Sequence, residues 1–557
     1  MTSSTTSPKA QPRTKWSAAR VATLAHSAAG LWFTALLTLI MLSGTLAVFA
    51  PEIDRLVFPQ LRSEPPTPGA ERANPGLVYD ALVKAYPGMG ITHINTAAHE
   101  PGAAATTSVT LPGQNKRAVA IDTYTGEVRG EVPAMTVRGF IAPLHAVLFN
   151  GLPGFCVVNF FGLLVVVGVV SGLIAYRKFW RGFFVRPRFG RGGRILLGDL
   201  HRLIGLWSVV FLLIIGLTGT WYFYNFPLVR FGLAPDVLGS QPEAPMLTEA
   251  DLDALGPETP KRLSGVDIVN AACAEYPDLT VTGLMPPMNL NMPFVVYGER
   301  GEYLHGRNPN AIYVNPFTGR IIGAHLSEEL HLKQYVYEAM SQLHHGELVP
   351  PRWGSGALLA MKSVWFLCGA GASFLCVSGL LIFLKRTRKA LPEGALRRLW
   401  IWIRPWGGPM SVFKYLNVLL VLGLLAGMAR IPKMIGQRPV PPELALPAKA
   451  AGRFEVALAL ATGPDGALEP GARVAVHPRV ANGAFAEART ILVGLAPAAG
   501  PVAAGVRVKG PEHLAAAQLR LPKTLEGAEV WVEIRRWDGT AHRTSWPLVS
   551  GTGGTKS

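Results

Sequence analysis

The sequence predicts a membrane protein with an α-helical transmembrane core, two external α+β domains and a small C-terminal all-β domain. Its core is read as duplicated two-helix units, four strong spans plus a weaker fifth. Three observations predict this class. Apolar runs at 21–49, 155–176, 203–225 and 357–384 are each long enough to cross a hydrocarbon core of about 30 Å. Cations gather on alternate connections between those runs. Finally, the skeleton His-x3-Gly-Leu-Trp occurs twice, at His26–Trp32 and His201–Trp207, each time where the chain turns strongly apolar.

Composition agrees with a membrane location. Of 557 residues 49% are hydrophobic and only 16% are charged. The net charge of +17 is not spread over a soluble face. Seven Lys/Arg and no acid lie between Arg177 and Arg194, and seven more against Glu393 alone lie between Lys385 and Arg404. The N-terminal tail adds Lys9, Arg13, Lys15 and Arg20. These segments alternate with acid-containing ones, so the tail and both basic loops are expected in the cytoplasm and 50–140 and 226–355 outside. The charge therefore reports topology, with the lipid bilayer and its anionic headgroups as contacts and no role for nucleic acid. The first run is too long, and too far from the start, for a cleaved signal peptide, so it is read as a retained span. Cys156, Cys273, Cys368 and Cys376 form neither a disulfide framework nor a thiolate zinc site, and the absence of Cys-x-x-Cys-His excludes ordinary c-type haem attachment.

In order, residues 1–20 are a cytoplasmic tail, 21–49 the first span and 50–140 the first external domain. Residues 141–176 hold an outer His segment and the second span, and 177–199 a basic loop. The second unit follows as span 200–225, external domain 226–340, outer His segment and span 341–384, and basic loop 385–408. A fifth run, 409–430, is shorter and carries Lys414; if it spans, the Pro-rich linker 431–452 and the β-sandwich-like 453–548 lie outside, and otherwise inside. The repeat extends beyond the opening motif. Ser43-Gly44-Thr45 and Thr218-Gly219-Thr220 keep the same offset as His26 and His201. Each external domain offers a helical stretch, near Val78–Tyr86 and Ile268–Tyr276, then strands and a Thr-Gly hairpin, at 121–130 and 313–323. Alternation in Phe454–Leu458 and Val530–Ile534, with an Asp538-Gly539 turn, marks the C-terminal domain as β.

Each strong span has a histidine at its leading end: His26 and His201 on the inner side, His145 and His344 or His345 on the outer side. Two neutral imidazoles facing each other across a helix bundle make an axial pair for haem iron. Gly30 and Gly205, one turn beyond the inner histidines, leave room for a flat macrocycle, and Gly44 and Gly219, five turns and about 27 Å beyond the same histidines, are expected to clear a second one. Two haems per chain follow. The alternatives are interfacial histidines, glycines serving close helix packing, or zinc, although no carboxylate or thiolate at metal spacing accompanies these sites.

Leu200-His-Arg-Leu-Ile-Gly-Leu-Trp207, the Tyr313-Val-Asn-Pro-Phe-Thr-Gly-Arg320 hairpin, its weaker copy at 121–130 and Leu343-His-His-Gly346 resemble the PepSY-associated transmembrane family, sometimes described as iron-regulated membrane proteins. The resemblance covers about residues 15–390. It implies two periplasmic PepSY-like domains on a four-helix core in the bacterial inner membrane. It also implies b-type haem held by His26, His145, His201 and His344, and an oxidoreductase moving electrons outward to a ferric siderophore or other metal complex. Ala25-His26-Ser27 lacks the Leu-His-Arg context of 200–202. The loops are too small for a flavin or nicotinamide domain, and Gly190-Arg-Gly-Gly-Arg194 is no dinucleotide fingerprint, so a quinol or separate reductase is expected as donor. Met285, Met288 and Met292 raise a copper-handling alternative, against the plainer reading as packing residues. His325 and His331 are expected in an external helix facing solvent. A non-redox protein whose PepSY-like domains bind a partner or inhibit a peptidase is the competing class.

Overall fold

The computed structural model describes residues 17–31, 33–87, 90–98, 100, 102–110, 116–236, 243–305, 308–349, 353–387, 412–429, 443–463, 467–480, 487–496, 504–508 and 516–548. The first half runs through α1 (Ala18–Leu31), α2 (Thr34–Ala47), α3 (Ala50–Val57), α4 (Gly76–Ala85), β1 (Gly90–Asn95), β2 (Ala105–Thr110), β3 (Lys116–Ile121), β4 (Val128–Val132), α5 (Val137–Val147) and α6 (Gly151–Ala175). The second half follows the same plan with one extra short helix. It holds α7 (Gly193–Trp207), α8 (Val209–Phe223), α9 (Glu249–Asp253), α10 (Gly265–Glu275), β5 (Thr280–Met285), β6 (Phe294–Glu299), β7 (Asn310–Val314), β8 (Ile321–His325), α11 (Leu332–His345) and α12 (Gly354–Thr387). Then come α13 (Val412–Met428) and strands β9 (Glu443–Ala451), β10 (Phe454–Ala461), β11 (Arg473–Val480), β12 (Ala488–Ala496), β13 (Val506–Arg507), β14 (Ala517–Arg520), β15 (Glu529–Arg536) and β16 (Ala541–Pro547).

Three described helices are long and apolar enough to cross a membrane: Gly151–Ala175, Val209–Leu228 and Gly354–Phe383. A fourth crossing needs α1 and α2 together, which are bent by 68°. The continuous first span expected from the sequence is thus a broken one, and the third run breaks at the equivalent place, between α7 and α8. Both breaks fall just after the Gly-Leu-Trp of the repeated motif. Phe33 leaves helical geometry at φ −121°, ψ 19°, and the Thr34 hydroxyl turns back to the Gly30 carbonyl. Ser208 sits at φ −89°, ψ −1°, in the bridge region. At 17 residues, α13 is at the short limit for a span, and Asn150 Nδ2 donates to its Gly423 carbonyl at 2.9 Å.

The two expected external domains share one sheet. Its order is β4-β3-β2-β1-β5-β6-β7-β8, all antiparallel, and the halves join where Ile94 and Asn95 of β1 pair with Leu284 and Gly283 of β5. In β2 every second residue is buried, which is the one-sided pattern a half-covered sheet requires. The cover is α4 and α10, whose Val78, Leu82, Ile268 and Ala272 pack on Ile94, Ile121, Leu284 and Ile312. These two helices meet backbone to backbone, since a Cβ at Gly76 would stand 2.1 Å from the Gly265 carbonyl. Asp80 of α4 caps α10 by accepting from Gly265 N–H at 2.7 Å. Each outer hairpin turns through an Asx motif: Asp122 Oδ1 accepts from Tyr124 and Thr125 N–H, and Asn315 Oδ1 from Phe317 and Thr318 N–H.

The C-terminal strands form two four-stranded sheets, β14-β11-β10-β9 and β13-β12-β15-β16, around a core that includes Leu460, Val476, Val530 and Trp546. This sandwich starts at Glu443, inside the segment expected as linker. Pro447 is tolerated because β9 is an edge strand, and its carbonyl accepts from Trp546 Nε1 at 2.7 Å. Residues 430–442 of that linker lie outside the described residues. Arg489 pairs with Asp253 at 2.5 Å and Arg507 with Glu249 at 3.2 Å, so the sandwich stands beside the eight-stranded sheet, at the same end of the helices.

The α4–α10 contact leaves no room for a side chain. Gly76→Val is therefore expected to cost about 1–3 kcal/mol or more. Thermal unfolding of the solubilised full-length protein checks this; an unchanged midpoint would rule the contact out.

Candidate functional site

The histidines that open the four runs meet in two pairs, each pair drawing one ring from either half of the chain. His26 on α1 and His201 on α7 have ring centroids 6.2 Å apart and planes at 86°. His145 on α5 and His344 on α11 are also 6.2 Å apart, at 37°. All four rings are half-buried. His345 is exposed and turns to its own helix, with Nδ1 2.8 Å from the Ser341 carbonyl, so the alternative between 344 and 345 resolves to His344 as the partner of His145.

Every paired imidazole is anchored through Nδ1. His26 Nδ1 lies 2.8 Å from the Gly168 carbonyl and His201 Nδ1 2.8 Å from Ser378 Oγ. His145 Nδ1 lies 3.0 Å from the Ile40 carbonyl and 3.4 Å from Ser43 Oγ, and His344 Nδ1 is 2.8 Å from Thr218 Oγ1. Among the described residues no hydrogen bond engages any of the four Nε2 atoms. A ring that donates from Nδ1 presents a lone pair at Nε2, the tautomer of a metal-bound histidine. Where Nδ1 faces a carbonyl it must be the donor, which fixes that tautomer for His26 and His145.

Each half seats its own histidines. The inner pair is held by the returning helices α6 and α12, and the outer pair by the entering helices α2 and α8. A signal for the inner supports was present and unread: Val170-Ser-Gly-Leu173 recurs as Val377-Ser-Gly-Leu380. Its serine binds His201 through Ser378, and its glycines give the rings space. A Cβ at Gly172 would be 3.1 Å from the His26 ring, and one at Gly379 3.6 Å from His201. Trp365 secures the outer end, donating from Nε1 to the His344 carbonyl at 3.2 Å beneath the left-handed Gly346. Trp365 and Ser378 both lie on the unbroken α12, so one helix supports the outer and the inner pair at different levels. The distance of about 27 Å expected along a straight first helix does not apply, because that helix is bent.

The four glycines divide. Gly30 and Gly205 line a cavity of about 530 Å³ beside the inner pair, with nothing within 4 Å of a Cβ at Gly30 and only Leu375 at 3.7 Å for Gly205. Gly44 instead seats the His145 ring, since its Cβ would be 2.7 Å from His145 Cε1. Gly219 packs α8 on α6 at Gly162, 3.1 Å from a Cβ, which is the helix-packing alternative. Met285 packs beside Val295, Ala311 and Tyr313, while Met288 and Met292 lie half-buried in the β5–β6 loop. His325 is not helical: it ends β8, with Nδ1 3.0 Å from the Tyr313 hydroxyl. His331 is the exposed N-cap of α11.

The donor set discriminates between metals. Among the described residues no three His, Cys, Asp or Glu are grouped to hold an ion, so each pair offers two protein ligands. Tetrahedral zinc needs three or four, whereas haem brings four nitrogens and lacks only the axial two. With each ring nitrogen about 2 Å from the metal, axial imidazole centres fall roughly 6 Å apart, as both pairs do. The inner cavity is mainly apolar in lining and lies within the range of about 300–1,000 Å³ usual for cofactor sites. The residues fit haem.

At the basic end, Asp199 ties the loop to α7 by accepting from Arg188 at 2.8 Å and Arg202 at 2.5 Å. The Arg188 hydrogen bond holds its carboxyl well below the usual carboxylate range.

Two substitutions separate the pairs. Ser378→Ala is expected to weaken the metal affinity of the inner pair about 10–100-fold and spare the outer one. Gly44→Val displaces His145 and does the reverse. Haem content and redox titration of each variant read the difference; equal loss at both sites would contradict the assignment.

A family model described as PepSY-associated TM region matches residues 23–386. An uncharacterized protein of Pseudomonas aeruginosa is 27% identical over 282 residues, 48% of this chain and 67% of that protein.

Proposed function

From the premise that this chain belongs to the PepSY-associated TM region family of membrane proteins, we propose that it is a di-haem b electron-transfer protein of the bacterial inner membrane. It carries electrons from a cytoplasmic-side donor to a periplasmic metal complex. The observation that carries this reading is the pairing itself: two His–His pairs at 6.2 Å, each ring anchored at Nδ1.

In this reading the chain has arisen by duplication, and the sheet consists of two fused PepSY-like domains. Nε2 of His26 and His201 would hold the inner haem, and Nε2 of His145 and His344 the outer one. Haem bound there supplies reversible one-electron exchange. The chain does the rest. The Gly168 and Ile40 carbonyls fix the tautomers of His26 and His145, and the Ser378 and Thr218 hydroxyls orient the rings of His201 and His344. Gly30 and Gly205 keep the inner cavity open, and Leu37, Met41, Leu212 and Ala372 wall it from water. That wall lowers the local dielectric and so penalises net charge at the metal.

The basic end, with Arg177, Arg181, Arg188 and Arg202, is placed in the cytoplasm by the positive-inside rule. A quinol or a separate reductase would deliver electrons there. At the other end the acceptor is a ferric siderophore or another metal complex; one electron lowers the metal's charge and weakens its grip on hard oxygen ligands.

Purified protein is expected to show dithionite-reducible b-type bands with close to two haems per chain. His201→Ala should lose one haem and keep the outer site. A haem-free protein from haem-replete cells, or a variant that loses both or neither, would overturn the reading.

A further inference from the structure

The backbone is strained in the turn that follows His145. Leu148 and Phe149 lie at φ 49° and 55°. This is left-handed space, which L side chains rarely adopt, and among the described residues nowhere else do two such non-glycine residues adjoin. Both side chains are buried, so the turn cannot relax into solvent. A conformation of this kind persists only where its surroundings hold it. Because α5 ends at Val147, two residues after His145, any change in the turn moves the end of the helix that presents this ring.

What holds the turn comes from the far end of the chain. Asn150 Nδ2 donates to the Leu148 carbonyl at 2.7 Å and to the Gly423 carbonyl of α13 at 2.9 Å. Asn150 stands at the N-cap position of α6, yet its side chain makes no cap bond there. Both N–H bonds of its amide go to this bridge instead. One turn further along α13, Gly427 closes on the same spot. A Cβ there would collide with Asn150 Nδ2 and stand 2.8 Å from the Leu148 carbonyl. Between the two glycines, Leu424 packs on the cluster that contains both Leu148 and Ile40. The Ile40 carbonyl is the one that faces His145 Nδ1. One side of α13 therefore touches the turn after His145 and the cluster that orients its ring. At its other end α13 leads towards the sandwich, which is ion-paired to α9 of the second half through Arg489 and Arg507.

We propose that α13 is a clamp for the outer pair: through Asn150 and Gly427 it holds the left-handed turn that fixes His145 against His344. The inference rests on the electron-transfer reading of that pair. It adds that the C-terminal segment sets the geometry of the outer redox centre and not of the inner one. Asn150 and Gly427 are positioning residues, acting on the ring only through the turn.

The test uses the oxidised full-length protein with haem bound and compares two equal substitutions on α13. Gly427→Ala drives a methyl group against Asn150 and Leu148, whereas a Cβ at Gly423 meets nothing within 4 Å. Alanine favours the helix over glycine at both positions, so a loss in the first variant alone reports the contact. Electron paramagnetic resonance of Gly427→Ala is expected to show a shifted outer signal, the one His145→Ala removes, with the inner signal unchanged. Transfer of the outer haem to excess apomyoglobin should be about 2–10-fold faster, the range of one lost hydrogen bond. Asn150→Ala should act in the same way, and Gly423→Ala should match wild type in both readings. An outer signal and transfer rate unaltered by Gly427→Ala and Asn150→Ala overturn the proposal. So does an equal disturbance of both signals, which general loosening of the fold would give. A wild-type protein without haem defeats the electron-transfer reading and this inference with it, whereas a di-haem protein that fails only the α13 comparison defeats this inference alone.

Discussion

Two imidazoles from different halves of the chain must face one another with their Nδ1 atoms turned away, and this must happen twice. That requirement explains most of the core. A half-buried ring needs a partner for Nδ1, and each ring finds one in its own half: Gly168 and Ile40 through carbonyls, Ser378 and Thr218 through hydroxyls. Each half therefore orients two imidazoles and depends on the other half for their partners. The halves are locked together by close crossings. Gly162 of α6 meets Gly219 and Thr220 of α8, and Gly369 of α12 meets Thr45 of α2. Glycines at these crossings bring the backbones near enough for the rings to reach.

The same economy governs the layer above. One sheet runs through both halves, and α4 and α10 touch through Gly76 and Gly265. Any shift of one half against the other must break the β1–β5 ladder and disturb both histidine pairs. The ion pairs of Glu52 with Arg55 and Lys362 join α3 to α12 beside this junction. The sheet, the α3–α12 junction and the outer pair are thus joined by contacts that cross between the halves.

Much of the site was legible because repetition carries phase. The offset shared by His26 and His201, and by Ser43 and Thr218, pairs equivalent positions without any knowledge of distance. The Val-Ser-Gly-Leu copies at 170 and 377 carried the same information for the supports. The bend after Gly-Leu-Trp was not legible. Helix periodicity assumes a straight axis, and the residues that break it, Phe33 and Ser208, carry no strong breaking signal. That is why Gly44 turned out to seat His145 and Gly219 to pack against Gly162. Fusion of the two sheets was also hidden, since strand pairing between β1 and β5 depends on tertiary context. Pro447 suggested a linker, although an edge strand accepts it.

Low-temperature electron paramagnetic resonance of the oxidised protein tests the cross-half pairing most directly. Rings crossing at 86° in one pair and 37° in the other predict two different low-spin ferric signals. His26→Ala and His201→Ala should each abolish the same signal, and His145→Ala and His344→Ala the other. If His26→Ala and His201→Ala remove different signals, the pairs are not formed across the halves and the account fails.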